Sequence, residues 1–225
     1  MVYGRQHGVA SSKYGEVRDL ERTFGLERKI LTPPYFFANN ANSAFLRKFW
    51  TRHPFSEELP GQEDIEWAKY WMEQGYKVIY EPTAAIYHIH EETWRQVRRR
   101  YHGEAVAHRE IGIWRPKDAA GLGARELWRL VSDSVAALRK GELLAVGPDI
   151  VRFRIMKGYG MLSGLLDSRA ASTPFGRQKL FFDRKCKAVV VSGPNRSSVE
   201  EVDIPPVRPG DVLVFNDSRV IPARL

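Results

Sequence analysis

The sequence predicts an α/β chain with a helical tail and a small β-rich C-terminal segment, on three observations. Ile65, Ala68, Trp71 and Met72 recur at helical spacing over residues 63–74. The period then falls from 3.6 to about 2 across residues 77–82 and 84–90, as strands require. Beyond residue 174, three short runs rich in valine, 187–191, 199–202 and 211–215, are separated by Gly-Pro and Pro-Pro turns. The corresponding organisation is 1–115, a mixed α/β domain; 116–174, a helical tail; and 175–225, the β-rich segment.

The elements follow in chain order. Residues 1–30 are polar and interrupted by Gly4, Gly8, Gly15 and Gly25, so a loop and then a short helix over 16–23 are expected. Pro33-Pro34 forces an extended approach to residues 35–38, whose aromatics favour a buried strand ending at Asn39-Asn40. Ser43 is placed to cap a helix over 44–50, and two prolines and Gly61 keep 53–61 irregular. The helix over 63–74 ends at Gly75, where a left-handed residue belongs. Pro82 divides the next stretch into two strands. Thr93 can cap a helix over 94–110. A further helix over 125–140 carries Leu127, Leu130, Val131, Val135 and Leu138 on one side.

Composition narrows the function classes. Of 225 residues, 43% are apolar and 12% aromatic, which supplies a core and excludes a disordered chain. The single cysteine, Cys186, excludes a disulfide framework and a cysteine-rich zinc module. The longest apolar runs, at 143–146 and 188–191, fall far short of the roughly 18 residues of a membrane span. The N-terminal residues carry no apolar stretch of a secretory signal, and a cytoplasmic location is the expectation. The formal charge of +8 points to an anionic partner: phosphate-bearing small molecules, an acidic membrane surface or nucleic acid. The densest basic run, Arg95, Arg98, Arg99 and Arg100, shares one predicted helix, where it also suits a solvated face. Nucleic acid is disfavoured, because no glycine-rich RNA loop, aromatic recognition strand or helix-turn-helix pattern occurs.

Chemistry-bearing residues recur in a fixed order: Asn39, Asn40 and Asn42, then Gly61-Gln62-Glu63-Asp64, then Gly75-Tyr76, then His88-Ile89-His90. Glu63 and Asp64 open a helix, where free backbone N–H groups favour ionised carboxylates and Gly61 leaves room for substrate. Helix-dipole complementation alone also explains such acids. His88 and His90 alternate along a strand and share a face; hydrogen bonding within the strand is their other use. The three asparagines offer amides to sugar hydroxyls, or to a turn. Trp67 and Trp71, four apart, read as core.

In this order the motifs resemble the acceptor-side, C-terminal half of family 2 glycosyltransferases, inverting enzymes of the GT-A nucleotide-sugar-binding fold; the likeness spans roughly residues 1–110. The resemblance implies that Asp64 is the general base, with Glu63 its neighbour in acceptor binding, and that His88 or His90 helps hold Mg²⁺ or Mn²⁺ on the donor diphosphate. It implies a nucleotide-sugar donor and a glycan or lipid-linked acceptor, with peripheral contact to the anionic inner face of a membrane. The family's nucleotide-binding strands and Asp-x-Asp motif do not occur here, so a chain starting downstream of them and inactive by itself is expected. Residues 187–214 also resemble the opening β segment of medium-chain zinc dehydrogenases, and 208–225 an early segment of the queuosine-pathway tRNA ribosyltransferase-isomerase; neither stretch includes a complete active site. The alternative to a transferase is an inactive basic module that binds RNA or an acidic partner.

Overall fold

The structure, a computed structural model, describes residues 1–9, 11–90, 92–167, 186–190 and 211–214. It is a mixed α/β arrangement. Strands β1 (Val2–His7), β2 (Lys29–Leu31), β3 (Ser43–Leu46) and β4 (Val78–His90) form a mixed sheet in the order β2-β4-β1-β3. Strand β5 (Cys186–Val190) pairs with β4, and β6 (Asp211–Val214) with β3. The helices are α1 (Tyr14–Thr23), α2 (Arg47–Arg52), α3 (Glu63–Glu73), α4 (Trp94–Glu110), α5 (Ala119–Arg139) and α6 (Leu143–Leu166).

Helices with complete local signals form where expected. Helix α3 turns Ile65, Trp67, Ala68, Trp71 and Met72 inward and is followed by Gly75 at φ 88°. Thr93 caps α4 in a reciprocal box with Gln96, whose side chain returns to the Thr93 N–H at 2.8 Å. Trp67 and Trp71 lie in the core against Phe45, as core residues should.

Four expectations are corrected. Residues 2–7 form a strand rather than a loop: β1 lies between β4, which it pairs in parallel, and β3, which it pairs antiparallel. Residues 35–38 are not a strand, because β3 takes the position beside β1. Phe37 instead packs edge-on to Tyr3 from a loop, with ring centroids 5.5 Å apart. Residues 43–46 pair as β3, leaving only 47–52 helical; burial alternates along the strand, so pairing overrides local helix preference. Strand β4 runs through Pro82 without dividing. Glu81 pairs with Gly4 and Ala85 with Arg5, so Pro82, Thr83 and Ala84 bulge out of the ladder and the missing proline N–H is not required there. The strand expected at 199–202 and the boundary at 174 lie outside the described residues.

Helices α4 and α6 pack closely through Gly160 and Gly164. A Cβ at Gly160 would stand 2.4 Å from the Arg98 carbonyl oxygen, and one at Gly164 2.2 Å from that of His102. Both obstacles are backbone. Gly164→Ala should therefore destabilise the chain by about 1–3 kcal/mol, read as a lower urea midpoint. An unchanged midpoint would show that the two helices separate freely.

Helix α5 begins six residues earlier than the periodicity suggests, and its packing is inverted. Its acids Glu126 and Asp133 point inward, whereas Leu127, Val131, Val135 and Leu138 are exposed. The cause is Arg154 of α6, 3% exposed, which donates to Asp133 at 2.6 Å, Asp19 of α1 at 2.8 Å and Glu126 at 3.0 Å. Lys157 adds a bond to Asp19 at 2.5 Å. Burial by itself would raise the Asp19 pKa, but Lys157 and Arg154 outweigh it and hold the carboxyl well below the usual range. A depressed carboxylate contributes stability that is complete above its unfolded pKa, near 3.9, and lost as pH falls below it. Asp19→Asn should flatten that acid limb in urea melts recorded from neutral pH downward. Among the described residues, no helix is long and apolar enough to cross a membrane.

Candidate functional site

The site is assembled at the start of α3. Gly61 (φ 129°) and Gln62 (φ 62°) both adopt positive φ, and a non-glycine residue there costs on the order of 1 kcal/mol. The turn is held by the Gln62 carbonyl, which accepts from the N–H groups of Ile65 and Glu66 at 3.1 and 3.0 Å. It presents Glu63 and Asp64 in the first helical turn.

Asp64 is fixed by two backbone donors, Asn40 N–H to Oδ2 and Ile65 N–H to Oδ1, each at 2.8 Å. Burial, and then the neighbouring Glu63 carboxylate, push its pKa up to about 7 against the opposite pull of those N–H groups. The result is a rigidly oriented carboxyl that exchanges a proton near neutrality. Such a group suits general base work.

The three asparagines divide in use. Asn42 donates its amide to the Ala84 carbonyl at 2.8 Å, tying the 3-10 turn at 40–42 to the bulge of β4. Asn39 caps that turn, accepting from Ala41 N–H at 2.9 Å. Asn40 differs: its Oδ1 is buried and has no hydrogen-bond partner among the described residues. An enclosed acceptor without a partner is uncommon, and it belongs to the residue whose N–H holds Asp64.

His88 and His90 share one face of β4, with ring centroids 4.2 Å apart. The Ala41 N–H makes Asn39 Oδ1 an acceptor, and the Gln6 amide also donates to it, so Gln6 Oε1 faces His88 Nδ1 at 2.5 Å. That arrangement assigns the His88 proton to Nδ1 and the lone pair to Nε2. Burial, reinforced by His90 and Arg100, lowers the His88 pKa to about 3 and keeps the ring neutral. His90 Nδ1 lies 2.6 Å from Glu16 Oε1, an ion pair when the ring is protonated. Donation from Nδ1 to a fixed oxygen is the support that orients a neutral histidine, and Gln6 gives it to His88.

Glu16, His90 and Glu92 each offer a ligand atom within 4.8 Å of the others. Arg100 already neutralises these acids, lying 2.8 Å from Glu16 and 2.9 Å from Glu92. Burial would raise the Glu16 pKa, yet the His90 hydrogen bond and Arg100 bring it down to about 2. Among the described residues this trio is the group that could hold a metal ion, and Arg100 competes for its carboxylates.

Gln6 therefore connects the two groups the sequence singled out: His88 to Gln6 to Asn39, then through the turn to Asn40 and Asp64. Neither Gln6 nor Glu16 stood out beforehand. Gln6 sits in a polar strand without alternation, and Glu16 meets Arg100 across 84 positions. The chain matches no family model, no curated protein and no solved structure.

Proposed function

We propose that the chain carries the acceptor-side part of an inverting, family 2-like GT-A glycosyltransferase, acting from a nucleotide-diphospho-sugar on a glycan or lipid-linked acceptor. The observation that carries this reading is Asp64, immobilised by two amides with a pKa of about 7. The acceptor oxygen attacks the anomeric carbon, the bond to the diphosphate breaks, and the hydroxyl proton passes to Asp64. Glu63 maintains the proton affinity of its neighbour. A divalent cation, Mg²⁺ or Mn²⁺, supplies charge neutralisation at the departing diphosphate, and His88 and His90 are the side chains that would hold it.

The test offers nucleotide-diphospho-sugars, Mn²⁺ and saccharide acceptors to the chain, both alone and joined at its N-terminus to the nucleotide-binding half of a family 2 enzyme. Transfer is expected in the joined form, with a rate that rises with pH as Asp64 loses its proton near 7. Absence of transfer from every donor in both forms, or a rate indifferent to pH across neutrality, overturns the reading.

A further inference from the structure

A surface helix ordinarily turns its apolar stripe to the core and its charges to water. Helix α5 does the reverse. Leu127 is 67% exposed, Trp128 70% and Leu138 62%, while Asp133 on the opposite face is wholly buried. Helix α6 follows the same pattern: Leu144 is 97% exposed, with Val151, Ile155 and Tyr159 outward along one stripe. On α6 an open depression of about 540 Å³ is lined by Pro148, Val151, Arg152, Ile155 and Met156. An outward apolar face of this extent marks a binding surface.

Charge identifies the occupant. Helices α5 and α6 contain three acids, Glu126, Asp133 and Asp149, and all three are bonded inward: the first two to Arg154, the third to the Tyr14 N–H at 2.8 Å. The exposed charges flanking the apolar stripes on these helices and at the start of their turn are therefore cationic, among them Arg139, Lys140 and Arg152; Glu142, in that turn, is the exposed acid. A second copy seated symmetrically on this face would oppose cation to cation. Nucleic acid would have no use for the leucine, valine and tryptophan side chains. An anionic bilayer surface meets both properties, with apolar residues entering the acyl boundary and cations meeting lipid phosphates. The arginine run of α4 is a different surface, since Arg100 is tied to Glu16 and Glu92.

We propose that the outward face of the α5–α6 hairpin docks on an anionic phospholipid bilayer, with Leu127, Trp128, Val131 and Leu138 entering the interface and Arg139, Lys140 and Arg152 contacting phosphates. This stands independently of the Asp64 reading. The hairpin lies on the membrane; it does not span it.

The test is flotation of the full chain with vesicles rich in phosphatidylglycerol and with vesicles of phosphatidylcholine alone, alongside Trp fluorescence. Partition to the anionic vesicles is expected, with a blue shift that Trp128→Phe removes. The pair Leu127→Glu and Val131→Glu, both at exposed positions, should abolish partition, and Arg139→Glu with Lys140→Glu should weaken it roughly thirtyfold or more, at about one kcal/mol per cation. Failure of the parent chain to float, or equal flotation of the glutamate pair, overturns the proposal. So does a lipid-free dimer that Val131→Glu dissociates, which would assign the face to a second copy. If the glutamate pair fails to fold, the charge-reversed pair at the hairpin turn decides alone.

Discussion

Replacing Asp64 by asparagine is expected to lower sugar transfer about 10²–10⁴-fold in a transfer-competent preparation, with little change in donor KM. The exchange is nearly isosteric, so the local conformation should survive. In Asp64→Asn the one remaining carbonyl oxygen can still accept from the Asn40 N–H. The new amide must then face the Ile65 N–H, donor against donor, but that N–H also reaches the Gln62 carbonyl at 3.1 Å and retains a partner. Loss of the charge opposite Glu63 offsets part of the remaining cost. Thermal unfolding should therefore move little while turnover collapses. Transfer retained at the parental rate would remove Asp64 from the chemistry.

Arg154→Met should destabilise the chain by about 3–5 kcal/mol. Arg154 is the shared partner of Asp19, Glu126 and Asp133, which come from two other helices. Methionine matches much of the volume but leaves Asp19 and Glu126 to Lys157 and the half-buried Arg129, and Asp133 to the half-buried Arg22, one buried guanidinium short. An uncompensated buried charge is far more costly than an absent ion pair. The loss approaches the whole stability of a small domain, so the tail should detach from α1 and the urea midpoint should drop sharply. Adding Asp133→Leu to Arg154→Met should recover part of it. A midpoint unchanged by Arg154→Met would show that water already reaches the cluster.

Legibility in the sequence follows how local each signal is. Helix α4 announced itself through Thr93 and Gln96, three residues apart, which complete one box between them. Helix α3 announced itself through its apolar spacing and Gly75. Strand β1 did not, because a central strand whose neighbours are β3 and β4 needs little alternation of its own, and Gly4, Arg5 and Gln6 resemble a loop. The stripe on α5 was legible as a stripe, but not the direction in which it faces. That direction was decided by Arg154, 28 residues from Glu126 and 135 from Asp19.

By itself the sequence determined where α3 and α4 start and stop, that Glu63 and Asp64 open the first of them, and that His88 and His90 share a strand face. Each depends on contacts within a few residues, which spacing expresses directly. Only the tertiary structure decided that Gln6 links His88 to the turn holding Asp64, that Asn42 is engaged by the β4 bulge while the Asn40 oxygen has no partner among the described residues, and that the acids of α5 turn inward. Those outcomes depend on which distant side chain arrives first at a buried donor or charge, and burial makes the choice binding because an unpaired polar group away from water is too costly to leave.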